Sequence, residues 1–195
     1  MIRSLCVTIL LVLLPISVTI KAGSVERVPD ADGNYTQLTP STGTDHYALV
    51  DEASCSETDY NHTGVDDYRD SYTFPVSGGD AVPADSTVDS VVITICCEHA
   101  GPAFSRDSIR ASVRIASTDY DGDRLPVMGS QATVTYTFTQ NPATSSAWTI
   151  TNANDAAIEF GVMCVEASDD TYIERFSVTW YYSAGAPAGH KKQIL

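Results

Sequence analysis

The sequence predicts an all-β fold: a single antiparallel β-sandwich, jelly-roll-like, with about eight strands. Three observations predict it. Apolar residues recur at every second position in run after run of the chain. Clusters of Gly, Pro, Asn and Asp separate those runs. No long stretch carries the 3.6-residue apolar spacing of an amphipathic helix.

The runs follow in order. Tyr68, Asp70, Tyr72 and Phe74 alternate with Arg69, Ser71 and Thr73. Val91, Ile93, Ile95 and Cys97 share one face, with Val92, Thr94 and Cys96 on the other. Ile109, Ala111, Val113 and Ile115 alternate with Arg110, Ser112 and Arg114. Ala132, Val134, Tyr136 and Phe138 alternate with Thr133, Thr135, Thr137 and Thr139. Ile158, Phe160, Val162 and Cys164 form the next apolar face, and Phe176, Val178, Trp180 and Tyr182 the last. One apolar and one wet face per run is the pattern of antiparallel sheets packed on a core. Weaker runs at residues 35–38 and 46–50 complete the strand set, and residues 151–157 suit one helical turn capped by Asn or Asp.

The N-terminus reads as a secretory signal peptide over residues 1–22. Arg3 gives a positive start, residues 6–18 are almost wholly apolar, and Ala22, Gly23 and Ser24 supply small residues for cleavage. An uncleaved N-terminal anchor is the alternative. Residues 23–182 then form one sandwich domain, large enough to bury its own core. Residues 183–195 form a small-residue linker and a basic tail ending in two aliphatic residues. No second apolar stretch has membrane length, so the mature chain is expected to have no membrane span and to be secreted, extracellular or at the cell surface.

Acidic residues outnumber basic ones 25 to 11, for a net charge of −14. That excess repels a polyanion, and no basic patch interleaved with aromatics is present, so nucleic acid is not an expected partner. With Cys6 removed in the signal, Cys55, Cys96, Cys97 and Cys164 remain. An even number in an exported chain predicts two disulfides. The apolar faces assign Cys97 and Cys164 inward, which predicts Cys97–Cys164 across the core and Cys55–Cys96 outside it. The spacing lacks the CxxC pairs of a zinc site.

Three further groups are candidate sites. Asp119, Asp121 and Asp123 place oxygen ligands at alternate positions, as a calcium loop does, but no closing glutamate follows. Asp121-Gly122 is equally the signal of a hairpin turn. Asn34 and Asn61 each begin a glycosylation sequon in a polar stretch. Trp148, Tyr60, Tyr120 and Tyr181 are aromatics able to stack on sugar rings, with core packing the preferred reading for Trp148. His46, His62, His99 and His190 share no spacing with a nucleophile motif, and nothing singles out a pair of carboxylates, so no catalytic residues and no enzyme are expected. Apart from calcium, no cofactor is expected.

Several segments together resemble a widespread, poorly characterised group of β-sandwich domains in exported, phage and environmental microbial proteins. They are Asp32-Gly33-Asn34; Thr42-Gly43-Thr44-Asp45-His46-Tyr47 with Val50-Asp51-Glu52; Asp70-Ser71-Tyr72-Thr73-Phe74; Thr118-Asp119-Tyr120-Asp121-Gly122; and Asn141-Pro142-Ala143-Thr144-Ser145-Ser146-Ala147-Trp148-Thr149. The likeness spans residues 32–182. It implies a sandwich and no reaction, and some members of the group resemble subunits of extracellular fibrils. The function expected first is therefore a non-catalytic structural protein, a homo-oligomer or helical filament held by strand or tail exchange. Lys191, Lys192, Ile194 and Leu195 are its assembly residues, reaching an acidic neighbour. The alternative is a monomeric carbohydrate-binding or adhesive module with glycans as partners.

Overall fold

Among the described residues, eleven strands form two antiparallel sheets packed face to face. The structure, a computed structural model, describes residues 22–101, 107–167 and 169–184. The strands are β1 (Ala22–Arg27), β2 (Ala31–Thr36), β3 (Thr39–Pro40), β4 (Asn61–Thr63), β5 (Arg69–Thr73), β6 (Ser86–His99), β7 (Ser108–Ile115), β8 (Thr118–Pro126), β9 (Ala132–Phe138), β10 (Glu159–Glu166) and β11 (Thr171–Ala184). One sheet has the order β3-β4-β11-β6-β9, with β1 also paired to β11; the other has the order β2-β5-β10-β7-β8. Among the described residues no helix is long and apolar enough to cross a membrane.

The alternating runs are strands, and their apolar faces meet in the core. Val91, Ile93, Ile95 and Cys97 of β6 are fully buried, as are Ile109, Ala111 and Val113 of β7 and Phe176 and Val178 of β11. With Tyr72, Phe160 and Val162 they form one continuous cluster, in which β6 and β11 of the first sheet face β5, β7 and β10 of the second. Thr133, Thr135 and Thr137 of β9 stay exposed while Phe138 is buried, as one-sided strands require. Trp148 packs edge-on to Trp180 with ring centroids 5.2 Å apart, and its indole N–H donates to the Phe138 carbonyl at 3.0 Å. That bond satisfies the polar handle of a buried tryptophan. The turn before it closes on Asn141, whose N–H donates to the Ser146 carbonyl and whose side-chain oxygen accepts from the Ala143 N–H.

Four elements differ from the sequence expectation. The segment expected as a strand at residues 46–50 is a 3₁₀ turn, Tyr47–Leu49. The Asp32 carboxylate accepts the N–H groups of His46 and Tyr47, at 3.2 and 2.7 Å, and holds the turn in place of a ladder. The helical turn α1 (Ile150–Ala153) starts earlier than expected, because Thr149 and Asn152 form a capping box. Residues 23–29, which show no strand pattern in the sequence, are largely β1, in register with β11 from Ala22↔Ser183 to Arg27↔Val178. The buried Arg27 secures that strand by donating to the carbonyls of Asp80 and Ala153.

The fourth difference concerns the Asp-Gly signal. The tight turn lies at Ala116-Ser117, both at positive φ, 48° and 67°, between the paired Ile115 and Thr118. Asp121-Gly122 sits inside β8 at a register shift opposite β7. Gly122 is there because the Tyr136 ring lies where a side chain would stand: a Cβ would come within 2.6 Å of it.

Candidate binding cleft

A cleft of about 210 Å³ opens on the outer face of the first sheet, lined by Glu57, Tyr60, Glu98, Tyr172 and Glu174. Strand register builds its floor. Tyr172 of β11 is paired with His62 of β4 on one side and Glu98 of β6 on the other. Their sequence neighbours Asn61, Ile173 and Cys97 are buried inward, so the row His62–Tyr172–Glu98 faces out, half-buried. The Tyr60 and Tyr172 rings meet at 4.9 Å and 74°, and His62 lies 5.7 Å from both, giving an aromatic corner.

Two irregularities complete the walls. The β6–β11 register shifts between Ile173 and Arg175, so Glu174 is an extra residue on the bulged strand. It is 1% exposed, accepts a 2.5 Å hydrogen bond from the Gln131 side-chain amide, and lies 3.6 Å from the Cys96 sulfur. Burial pushes its carboxyl above the ordinary range, against the Gln131 hydrogen bond, and the Glu98 and Glu57 charges add to the rise. The other irregularity is the Cys55–Cys96 disulfide, which pins residues 55–60 against the sheet. Within that loop Ser56 Oγ accepts the N–H groups of Thr58 and Asp59, a local turn that carries the chain to Tyr60.

On the inner side of β4 lies a buried polar network. Asp70 Oδ1 accepts the backbone N–H groups of Gln37 and Leu38, at 2.8 and 3.0 Å. Its Oδ2 lies 2.7 Å from His46 Nδ1 and accepts the Tyr72 hydroxyl at 3.4 Å. Asn61 Nδ2 donates to the His46 carbonyl and to the Tyr72 hydroxyl. Four donors around one carboxylate fill its lone-pair sites, which is how a fully buried charge is tolerated. Asp32, His46, Asp70 and Tyr72, quoted above among the resemblance segments, meet in this network.

The remaining sequence candidates fall as follows. Cys55–Cys96 is bonded as expected. Cys97 and Cys164 are buried free thiols, so the expected bridge across the core is not formed. Each thiol is instead packed in the apolar core cluster, Cys97 on β6 and Cys164 on β10 of the opposite sheet. Burial pushes the Cys97 thiol up to about 12 and raises that of Cys164 as well. Asn34 is exposed on β2. Asn61 is fully buried with its amide nitrogen engaged, which leaves no room for a glycan and corrects that expectation.

Asp119, Asp121 and Asp123 lie in strand β8, not in a calcium loop. Asp119 lies 2.7 Å from Arg114 and accepts the Tyr35 hydroxyl, and Arg69 lies 3.5 Å from both Asp119 and Asp121. Guanidinium groups thus stand where the calcium reading placed the ion. A set able to coordinate a metal instead joins the ends of strands: His99, Asp107 and Asp169 bring ligand atoms within 4.8 Å of one another. Tyr120 packs on the core and Tyr181 is exposed. Lys191, Lys192, Ile194 and Leu195 lie outside the described residues.

Of the cleft residues, sequence reasoning singled out Tyr60 alone. Tyr172, Glu98, Glu174 and Glu57 were missed. The signal for two of them was a phase slip: Ile173 and Phe176 are both buried although three apart, which betrays a bulge at residues 174–175.

No protein-family model matches the chain, and no curated protein does. Similar solved structures include the carbohydrate-binding module CBM35 from Cellvibrio japonicus Abf62, 11% identical over 85% of this chain and 98% of that one, with a TM-score of 0.37. A family 35 carbohydrate binding module from an environmental isolate is 12% identical over 86% and 95%, with a TM-score of 0.36. The xylan-binding module CBM15 is 14% identical over 85% and 100%, with a TM-score of 0.37. These similarities are weak, and neither the fold nor the ligand of this chain rests on them.

Proposed function

We propose that this chain is a non-catalytic carbohydrate-binding module that takes its ligand in the cleft between Tyr60 and Tyr172. The observation that carries the reading is the cleft's chemistry: an aromatic corner beside carboxylates, in about 210 Å³. A sugar ring has an apolar C–H face and an equatorial rim of hydroxyls. The tyrosine rings suit the first, and Glu98 and Glu174 accept from the second. The volume suits a unit of sugar-ring size. Tail exchange into a filament depends on residues 183–195, of which 185–195 lie outside the described residues, while Ser183 and Ala184 are already paired in the sheet as the end of β11. The binding reading therefore takes precedence over assembly.

Glycan-array screening followed by calorimetry tests it. The native chain is expected to bind a defined set of oligosaccharides. Tyr172→Ala and Tyr60→Ala should each weaken binding roughly tenfold, equivalent to about 1.4 kcal/mol. An array without hits, or full affinity in both variants, would overturn the reading.

A further inference from the structure

We infer that the sugar bound in this cleft carries a positive charge: an amine-bearing unit with a free ammonium group rather than a neutral or N-acetylated one. The inference rests on the saccharide reading above and narrows its ligand class.

The lining of the cleft consists of three carboxylates and two phenol rings. The nearest guanidinium in sequence, that of Arg175, turns elsewhere, donating to the Glu52 carbonyl at 2.8 Å and to the Glu26 carboxylate at 2.7 Å. His62, at the edge of the aromatic corner, has its Nδ1 3.5 Å from Asp170, a further carboxylate. Glu174 is held almost wholly out of water, and the hydrogen bond it accepts comes from a neutral amide. The carboxylates of Glu57 and Glu98, on the open side of the cleft from the buried Glu174, are therefore met by no basic side chain of the lining. A ligand entering the cleft displaces the water that screens those carboxylates. A neutral ligand leaves their charge less well solvated, whereas an ammonium forms charge-assisted hydrogen bonds to them. The tyrosine faces add a cation–π attraction available only to a charged group. Carboxylate and aromatic groups thus favour the same ligand feature from different sides of one small cleft.

The test titrates the full chain with glucosamine trimer and with N-acetylglucosamine trimer, near about pH 6, above the ordinary carboxylate range and where the amine is charged. The amine trimer is expected to bind at least tenfold more tightly, with an affinity that falls as salt rises. Glu98→Gln should bring the ratio of the two affinities close to one, while Tyr172→Ala weakens both. Asp85→Asn, an exposed change just before the opposite end of β6, removes the same charge from the molecule and should leave the ratio unaltered. Equal binding of the two trimers, or an unchanged ratio in Glu98→Gln, would refute charge selection and leave the saccharide reading standing. An equal fall of the ratio in Asp85→Asn would show attraction to the acidic surface at large and also refute it. Binding that needs calcium and is abolished by chelator would show that the carboxylates hold a metal instead. Failure of either trimer and of the whole glycan array to bind would remove the saccharide reading and this inference together.

Discussion

His46 Nδ1 lies 2.7 Å from Asp70 Oδ2, and the two side chains are 8% and 0% exposed. The pair joins the 3₁₀ turn after β3 to the start of β5, and through Asn61 it reaches β4. The same β4 carries His62 to the cleft on its other face. The buried network therefore sets the position of the strand that supports the aromatic corner.

The His46–Asp70 contact makes stability depend on pH. The hydrogen bond that His46 donates to the Asp70 carboxylate raises the His46 pKa above its ordinary 6.5, outweighing burial, which acts the other way. A raised histidine pKa means that the folded state favours the protonated ring. Its contribution is present in full below 6.5 and is lost as pH rises through the higher folded value. The melting temperature is expected to fall over that interval, and His46→Gln should flatten the profile there. Differential scanning calorimetry across the range checks both, and an identical slope in the variant would assign the dependence to other groups.

The cysteines are expected to behave as two classes. Cys55→Ser should destabilise the fold by about 2–4 kcal/mol in urea unfolding and loosen the loop that carries Tyr60. Cys97 and Cys164 should resist thiol reagents in the native protein and react fully in denaturant, because burial disfavours their thiolates. Peptide mapping without reductant should recover Cys55–Cys96 alone. Recovery of Cys97–Cys164 would contradict the two free thiols described above.

The two sequons should separate in a host that glycosylates exported proteins. Asn34 is exposed and Asn61 is fully buried. Mass spectrometry of secreted, folded protein is expected to find glycan at Asn34 and none at Asn61. Occupancy at Asn61 in protein that still melts cooperatively would contradict the buried network.

Much of the architecture was legible because side-chain alternation is a local property. Val91, Ile93, Ile95 and Cys97 announce an inward face whatever their partners are. The misread elements share one cause: their conformation is set by residues distant in sequence. Asp121-Gly122 looks like a turn until Tyr136 is seen against Gly122. Residues 46–50 look extended until Asp32 supplies the acceptors that hold a 3₁₀ turn. Strands of two or three residues, β3 and β4, are too short to show a period at all.

By itself the sequence determined that this chain forms one-sided strands packed as an antiparallel sandwich, and that its surface is strongly acidic. Period-two patterning needs only neighbouring residues to express it, and charge is additive along the chain. The tertiary structure alone decided that Tyr60, Glu98, Tyr172 and Glu174, separated by up to 114 positions, share one cleft. It also decided that Cys97 and Cys164 remain thiols and that Asp119 and Asp121 face arginines rather than an ion. Those outcomes depend on strand order, on register and on a single extra residue at Glu174. A one-residue shift in pairing turns every side chain to the opposite face, and pairing between distant strands is a property of the folded chain rather than of any local stretch.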